Sequence, residues 1–129
     1  MKNKLIIKSD FKLLDEVYQW LENLLMDVTN KKTLNNILLV NQEMVTNSIL
    51  HGNKKSIDKE VTIEVFITST DIILEITDEG EGIKKFPSLK ESKKLNYLEE
   101  NGRGLKLAVL LTECITINGS NTQYIFKKE

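Results

Sequence analysis

The chain has 129 residues, 40% of them apolar and 29% charged, with a formal net charge of −1. That is the size and composition of one globular domain able to bury a core without a metal or disulfide staple. The near-zero charge offers no field for direct nucleic-acid or membrane binding.

Met1 to Lys8 alternates basic and apolar residues over too few positions for a signal peptide, and no apolar run approaches the ~20 residues that span a bilayer. Cys114 is a lone cysteine and forms no internal disulfide, so the expected compartment is the cytoplasm. Lys4 to Lys8 predicts a short opening strand. Ser9 or Asp10 offers a side-chain oxygen to cap the helix that follows. In that helix Phe11, Leu14, Val17, Leu21, Leu24 and Leu25 recur at helical spacing. Asp27 to Lys32 is polar and breaks the pattern. A second helix is predicted from about Thr33 to Leu50, closed at His51-Gly52-Asn53, where glycine favours the left-handed turn.

Two strands follow. Val61, Ile63, Val65 and Ile67 alternate with polar residues, Asp71 to Thr77 is β-branched, and Ser69-Thr70-Asp71 reads as the hairpin turn between them. From Glu79 to Arg103 the chain carries glycines, the one proline (Pro87) and clustered charge. About 84–101 is therefore expected to be a mobile segment within a single domain of residues 1–129. Leu105 to Leu111 predicts a buried helix, and Cys114 to Asn118 with Gln123 to Lys127 a closing hairpin. Helices grouped with a mostly antiparallel sheet predict a two-layer α/β sandwich, α+β in arrangement.

The second helix carries an anomaly. On a wheel of ~100° per residue, Ile37, Leu38, Val40, Met44, Val45 and Ile49 form one apolar arc. Glu43, Asn47 and His51 stack four residues apart along a stripe framed by apolar neighbours. A carboxylate and an amide in that setting are costly unless satisfied. A polar seam met by neighbouring backbone is one reading. The other is a site for a cation and phosphates, with Asn47 offering a hard oxygen to Mg²⁺ and Glu43 acting as a base toward a hydroxyl or water. His51 reads best as a helix-end histidine near the C-terminal dipole.

Two glycine turns add to this. Asp78-Glu79-Gly80-Glu81-Gly82 follows directly on a strand, where the Asp78 carboxylate could accept a hydrogen bond from an exocyclic amine and the glycines would let the backbone approach a base. Asn101-Gly102-Arg103-Gly104 opens the apolar helix and presents free N–H groups to phosphate. It is neither a P-loop, having no Lys-Ser/Thr after the glycines, nor a Rossmann fingerprint. Taken singly, each turn is also consistent with an ordinary turn or helix start.

In this order, Glu43-Met-Val-Thr-Asn47-Ser-Ile-Leu-His51-Gly52, Asp78-Glu-Gly80-Glu-Gly82-Ile83 and Asn101-Gly102-Arg103-Gly104-Leu105 resemble the N box and the two glycine boxes of the GHKL ATPases. The Thr-Asn-Ser-Ile-Leu-His-Gly wording and the fit along nearly the whole chain are most similar to the bacterial anti-sigma factor serine/threonine kinases. The resemblance implies a Bergerat-type ATP-binding fold with a mixed, mostly antiparallel sheet, helices on one face and an ATP lid at about 84–101. It implies Glu43 as general base and Asn47 as magnesium ligand. Asp78 would meet the adenine amine, with Gly80 and Gly82 along the base. Gly102, Arg103 and Gly104 would anchor the lid at the phosphates, and Thr122 would join the water network near Asp78. ATP and Mg²⁺ are the implied cofactors. A sigma factor and an anti-anti-sigma antagonist are the implied partners, and a homodimer the implied assembly. Two positions depart from the family pattern. Asn121-Thr122 stands where Gly-Thr is usual, and Glu99-Glu100-Asn101 stands where sporulation-type members carry an arginine implicated in partner contact. A stand-alone ATP-dependent switch without kinase activity therefore remains an alternative, as does the catalytic half of a split histidine kinase.

Overall fold

The computed structural model describes residues 2–54, 56–80, 110–118 and 120–128. Strand β1 is Lys2–Lys8, followed by a 3₁₀ turn at Phe11–Leu13 and helix α1 at Leu14–Leu25. Helix α2 is Lys31–Asn47 and runs into a wider turn at Ser48–Gly52. Strands β2 (Glu60–Ile67), β3 (Asp71–Thr77), β4 (Cys114–Asn118) and β5 (Asn121–Lys127) complete the described elements. The five strands form one sheet in the order β1-β2-β3-β5-β4, and every ladder between them is antiparallel. The two-layer reading holds, and among the described strands no parallel pair occurs.

The register follows from alternation. Leu5 faces Ile63, which faces Ile76; Val65 faces Leu74, which faces Tyr124; Ile72 faces Phe126. All of these lie on the inner face, because successive side chains of a strand point to opposite sides. Val17, Leu21 and Leu25 of α1 and the whole predicted arc of α2 (Ile37, Leu38, Val40, Met44, Val45, Ile49) are buried with them in one core. The outer face is polar along its centre, where Gln123 Nε2 donates to Glu75 Oε1 at 2.8 Å, Asn121 Nδ2 donates to Thr77 Oγ1 at 2.7 Å and Lys2 pairs with Glu64 at 3.1 Å.

The caps differ slightly from expectation. Asp10 accepts from the Lys12 N–H at 2.9 Å, as a cap should, while Ser9 is buried and bonds across the fold to the Lys59 carbonyl at 2.9 Å. Asn30 caps α2, accepting from the Thr33 N–H at 2.8 Å, which starts that helix two residues before Thr33. The end of α2 differs more. Gly52 lies inside the Ser48–Gly52 turn, which the Asn53 N–H closes by donating to the Ser48 carbonyl, an i→i+5 bond of 2.7 Å. The left-handed step falls instead on Lys54, at φ 52°. Residues 84–101, read as a lid, lie outside the described residues, as does the predicted helix Leu105–Leu111 up to residue 109. Among the described residues no helix is long and apolar enough to cross a membrane.

Candidate nucleotide-binding site

Helix α2 fixes the first part of the site. Its buried arc leaves Glu43 half-buried at the edge and Asn47 only 7% exposed, one turn further on. The rotation of the helix is pinned from within. Asn41, also buried, accepts a 2.8 Å hydrogen bond at Oδ1 from the Tyr124 hydroxyl of β5. Burial pushes the Tyr124 phenol well above its ordinary range, so it stays a neutral donor.

Asn47 differs from Asn3 and Asp71, each of which has one buried polar atom without a hydrogen-bond partner among the described residues, in that both ends of its amide are unmatched. Both its Nδ2 and its Oδ1 are buried, and among the described residues neither has a hydrogen-bond partner. Such an amide costs free energy where it stands, and its oxygen fits a hard divalent cation. Among the described residues no group of three His, Cys, Asp or Glu could hold a metal. A single amide oxygen suits Mg²⁺, which takes one or two protein ligands and completes its shell with phosphate and water.

The end of β3 supplies the second part. Asp78 follows the last residue of the strand; its N–H donates to the Ser120 carbonyl at 3.1 Å, and its Oδ1 accepts from the Gly80 N–H at 2.8 Å. Thr122 lies on the inner face of β5 opposite Ile76 and is 7% exposed. The β3–β5 ladder thus brings Asp78, Gly80 and Thr122 to one end of the sheet, though Thr122 stands 44 residues after Asp78 in sequence. Gly82, Gly102, Arg103 and Gly104 lie outside the described residues.

Sequence reasoning missed the residue that ties these two parts together. Asn53, fully buried just past the α2 end, accepts at Oδ1 from the Glu79 N–H at 2.7 Å. Its Nδ2 donates to Ser9 Oγ at 2.7 Å and to the Glu60 carbonyl at 3.0 Å. The Glu60 N–H in turn donates to the Glu79 carboxylate. The only local signal was an asparagine beside a helix-ending glycine, which reads as a turn residue. The partners that make it more than that lie 44 and 26 positions away.

Residues 7–127 match the family described as the histidine kinase-like ATPase domain. Among curated proteins, the chain is 45% identical over 49 residues to an anti-sigma F factor of Clostridium botulinum strain Eklund 17B, covering 38% of this chain and 34% of that protein. It is 36% identical over 70 residues to an anti-sigma F factor of Thermoanaerobacter sp. strain X514, covering 54% and 48%. The matches thus span between a third and a half of these relatives' length. Among solved structures, the RsbU and RsbW domains of Rv1364c from Mycobacterium tuberculosis superpose with a TM-score of 0.66 at 11% identity, over 100% of this chain and 32% of that one. The histidine kinase domain of the Erythrobacter litoralis EL346 blue-light activated kinase gives 0.52 at 17% identity, over 91% and 59%. At these identities the structural likeness is one of fold. The family match over almost the whole chain, on a sheet and helices of that same fold, makes this protein a member of the histidine kinase-like ATPase domain family.

Proposed function

We propose that residues 1–129 form a single ATP-binding domain that acts as an anti-sigma factor and serine/threonine protein kinase, holding a sigma factor and phosphorylating an anti-anti-sigma antagonist in the cytoplasm, as a homodimer. The observation that carries the ATP site is the Asn47 amide, buried with both polar atoms unmatched by the described protein. The anti-sigma assignment is supported by the relatives that bear that name.

In this reading Asp78 accepts a hydrogen bond from the adenine amine, which selects against guanine, whose corresponding position is a carbonyl. Gly80, with Gly82, lies along the base, and Thr122 joins the water network beside Asp78. Gly102, Arg103 and Gly104 face the phosphates. Asn47 offers its Oδ1 as the protein ligand to Mg²⁺. When bound, Mg²⁺ neutralises charge on the phosphates, which is most of what phosphoryl transfer asks of a site. Glu43 takes the proton from the acceptor hydroxyl as its oxygen bonds to the γ-phosphorus and the bond to the β-phosphate oxygen breaks, with ADP leaving.

The test is transfer of labelled γ-phosphate from ATP to a candidate antagonist, comparing the native protein with Glu43→Gln. Removal of a general base costs about 10²- to 10⁴-fold in rate. A native protein that binds ATP but phosphorylates no antagonist overturns the kinase reading and leaves a nucleotide-dependent binding module.

A further inference from the structure

We infer that Asn53 is a positioning residue for base recognition: its side-chain oxygen sets the backbone of the loop that carries Asp78, and so sets the selectivity of the site for adenine. The inference rests on the nucleotide reading above and extends it to a residue that itself touches no ligand.

The geometry is closed on every side. The Asn53 amide can donate twice, and both donors are used, to Ser9 Oγ and the Glu60 carbonyl; its oxygen receives the Glu79 N–H. Ser9 is anchored in turn, with its N–H and its hydroxyl both donating to the Lys59 carbonyl at 3.0 and 2.9 Å. Asn53 is also fixed through its own N–H to the Ser48 carbonyl. An amide held at three points in this way is rigid, and it presents its oxygen to one backbone N–H of the Asp78-Glu79-Gly80 loop. The opposite side of the loop is held by the Asp78 N–H on the Ser120 carbonyl. With Glu79 tethered on one side and Asp78 on the other, the Asp78 carboxylate has little freedom. Its Oδ1 is occupied by the Gly80 N–H, and among the described residues no donor reaches Oδ2. Oδ2 is therefore the oxygen left for an exocyclic amine. Discrimination by one hydrogen bond requires its acceptor to be held to within about 0.5 Å, and Asn53 is the part of the frame that links that acceptor to the helix carrying Glu43 and Asn47.

Three variants test this. Asn53→Ala removes the acceptor for the Glu79 N–H together with both donors. Asn53→Asp keeps an oxygen for Glu79, loses both donors and sets a buried carboxylate oxygen against the Glu60 carbonyl. Ser9→Ala breaks the far side of the bracket and leaves the Glu79 tether untouched. Each is measured for thermal stability and for ATP and GTP binding by calorimetry with Mg²⁺. All three are expected to lose stability. The ratio of ATP to GTP affinity is expected to fall by about tenfold or more in Asn53→Ala, the equivalent of one net hydrogen bond. It is expected to stay within about threefold of native in Ser9→Ala and Asn53→Asp, well short of that one-bond loss. If Asn53→Ala does not fold, Asn53→Ser, whose hydroxyl is too short to take the Glu79 N–H in the same place, carries the test: a ratio reduced about tenfold supports the inference, and a ratio within about threefold of native overturns it. A native chain that binds no ATP overturns the nucleotide reading and the inference with it. Native ATP selectivity that is unchanged in Asn53→Ala overturns the inference alone.

Discussion

The Tyr124 hydroxyl donates to Asn41 Oδ1 across 2.8 Å of core, joining the last strand of the sheet to the helix that carries Glu43 and Asn47. Both partners are buried, and 83 residues of chain separate them. The bond fixes the rotation of α2 against β5, and that rotation decides which residues of α2 stand at the edge of the core.

Tyr124→Phe removes the donor and leaves the Asn41 oxygen buried without one. The expected cost is about 1–3 kcal/mol of unfolding free energy, the penalty of an orphaned buried acceptor. Adding Asn41→Leu should return part of it, because replacing both partners by apolar groups is close to neutral. Denaturant unfolding of the native protein, the single variant and the double variant measures the difference.

The same phenol predicts an alkaline limit. Its folded pKa is raised above the unfolded value of about 10. The stability it contributes is therefore complete below pH ~10 and is lost as pH rises from there toward the folded value. Native protein should lose stability more steeply above pH ~10 than Tyr124→Phe does. Parallel slopes in the two would mean that the phenol ionises alike in the folded and unfolded states.

Asp78→Asn should separate ligand binding from loop structure. An asparagine can still accept the Gly80 N–H at Oδ1, so the loop is expected to keep its shape. The other carboxylate oxygen becomes an NH₂, which faces the adenine amine donor to donor. Calorimetry should show ATP affinity reduced by about 10- to 100-fold, the loss of one charge-assisted hydrogen bond, with the melting temperature little changed.

Asn47→Ala should do the opposite of what a structural asparagine would do. Its amide has no partner among the described residues, so its removal takes away a buried, unmatched polar group. Apo stability is expected to hold or rise, while the Mg²⁺ dependence of ATP binding disappears. A loss of ~2 kcal/mol or more in the apo protein would mean that the amide is satisfied within the fold, as buried polar groups generally are.

Much of this architecture was legible in the sequence, where burial follows from local period. All six residues of the predicted α2 arc are in the core, and the alternation of β2 placed Val61, Ile63 and Val65 inward. Three motifs in order pointed to the family. What local reasoning missed is polar and long-range. Asn41 interrupts the Ile37–Val45 stripe and reads as a flaw, until Tyr124 arrives from the far end of the chain. Ser9 reads equally well as a helix cap, yet it is spent on Asn53 and Lys59 instead. Asn53 reads as punctuation after a helix. In each case the residue type was visible and the partner was not, because no periodicity records which distant segment will supply a donor.

The wide turn at Ser48–Gly52 has a consequence for how this chain can vary in length. An i→i+5 turn takes in one residue more than an α-helical turn, so the stretch between Asn47 and Asn53 acts as a measured spacer. Deleting one residue within it would rotate Asn53 away from Glu79 whatever side chains remained. Deletions at 48–52 should therefore abolish nucleotide binding, while single-residue insertions at the 68–70 hairpin, on the opposite end of the β2–β3 ladder from Asp78, should be tolerated. At this point of the fold the number of residues, together with the buried Ile49, sets the distance from Asn47 to Asn53.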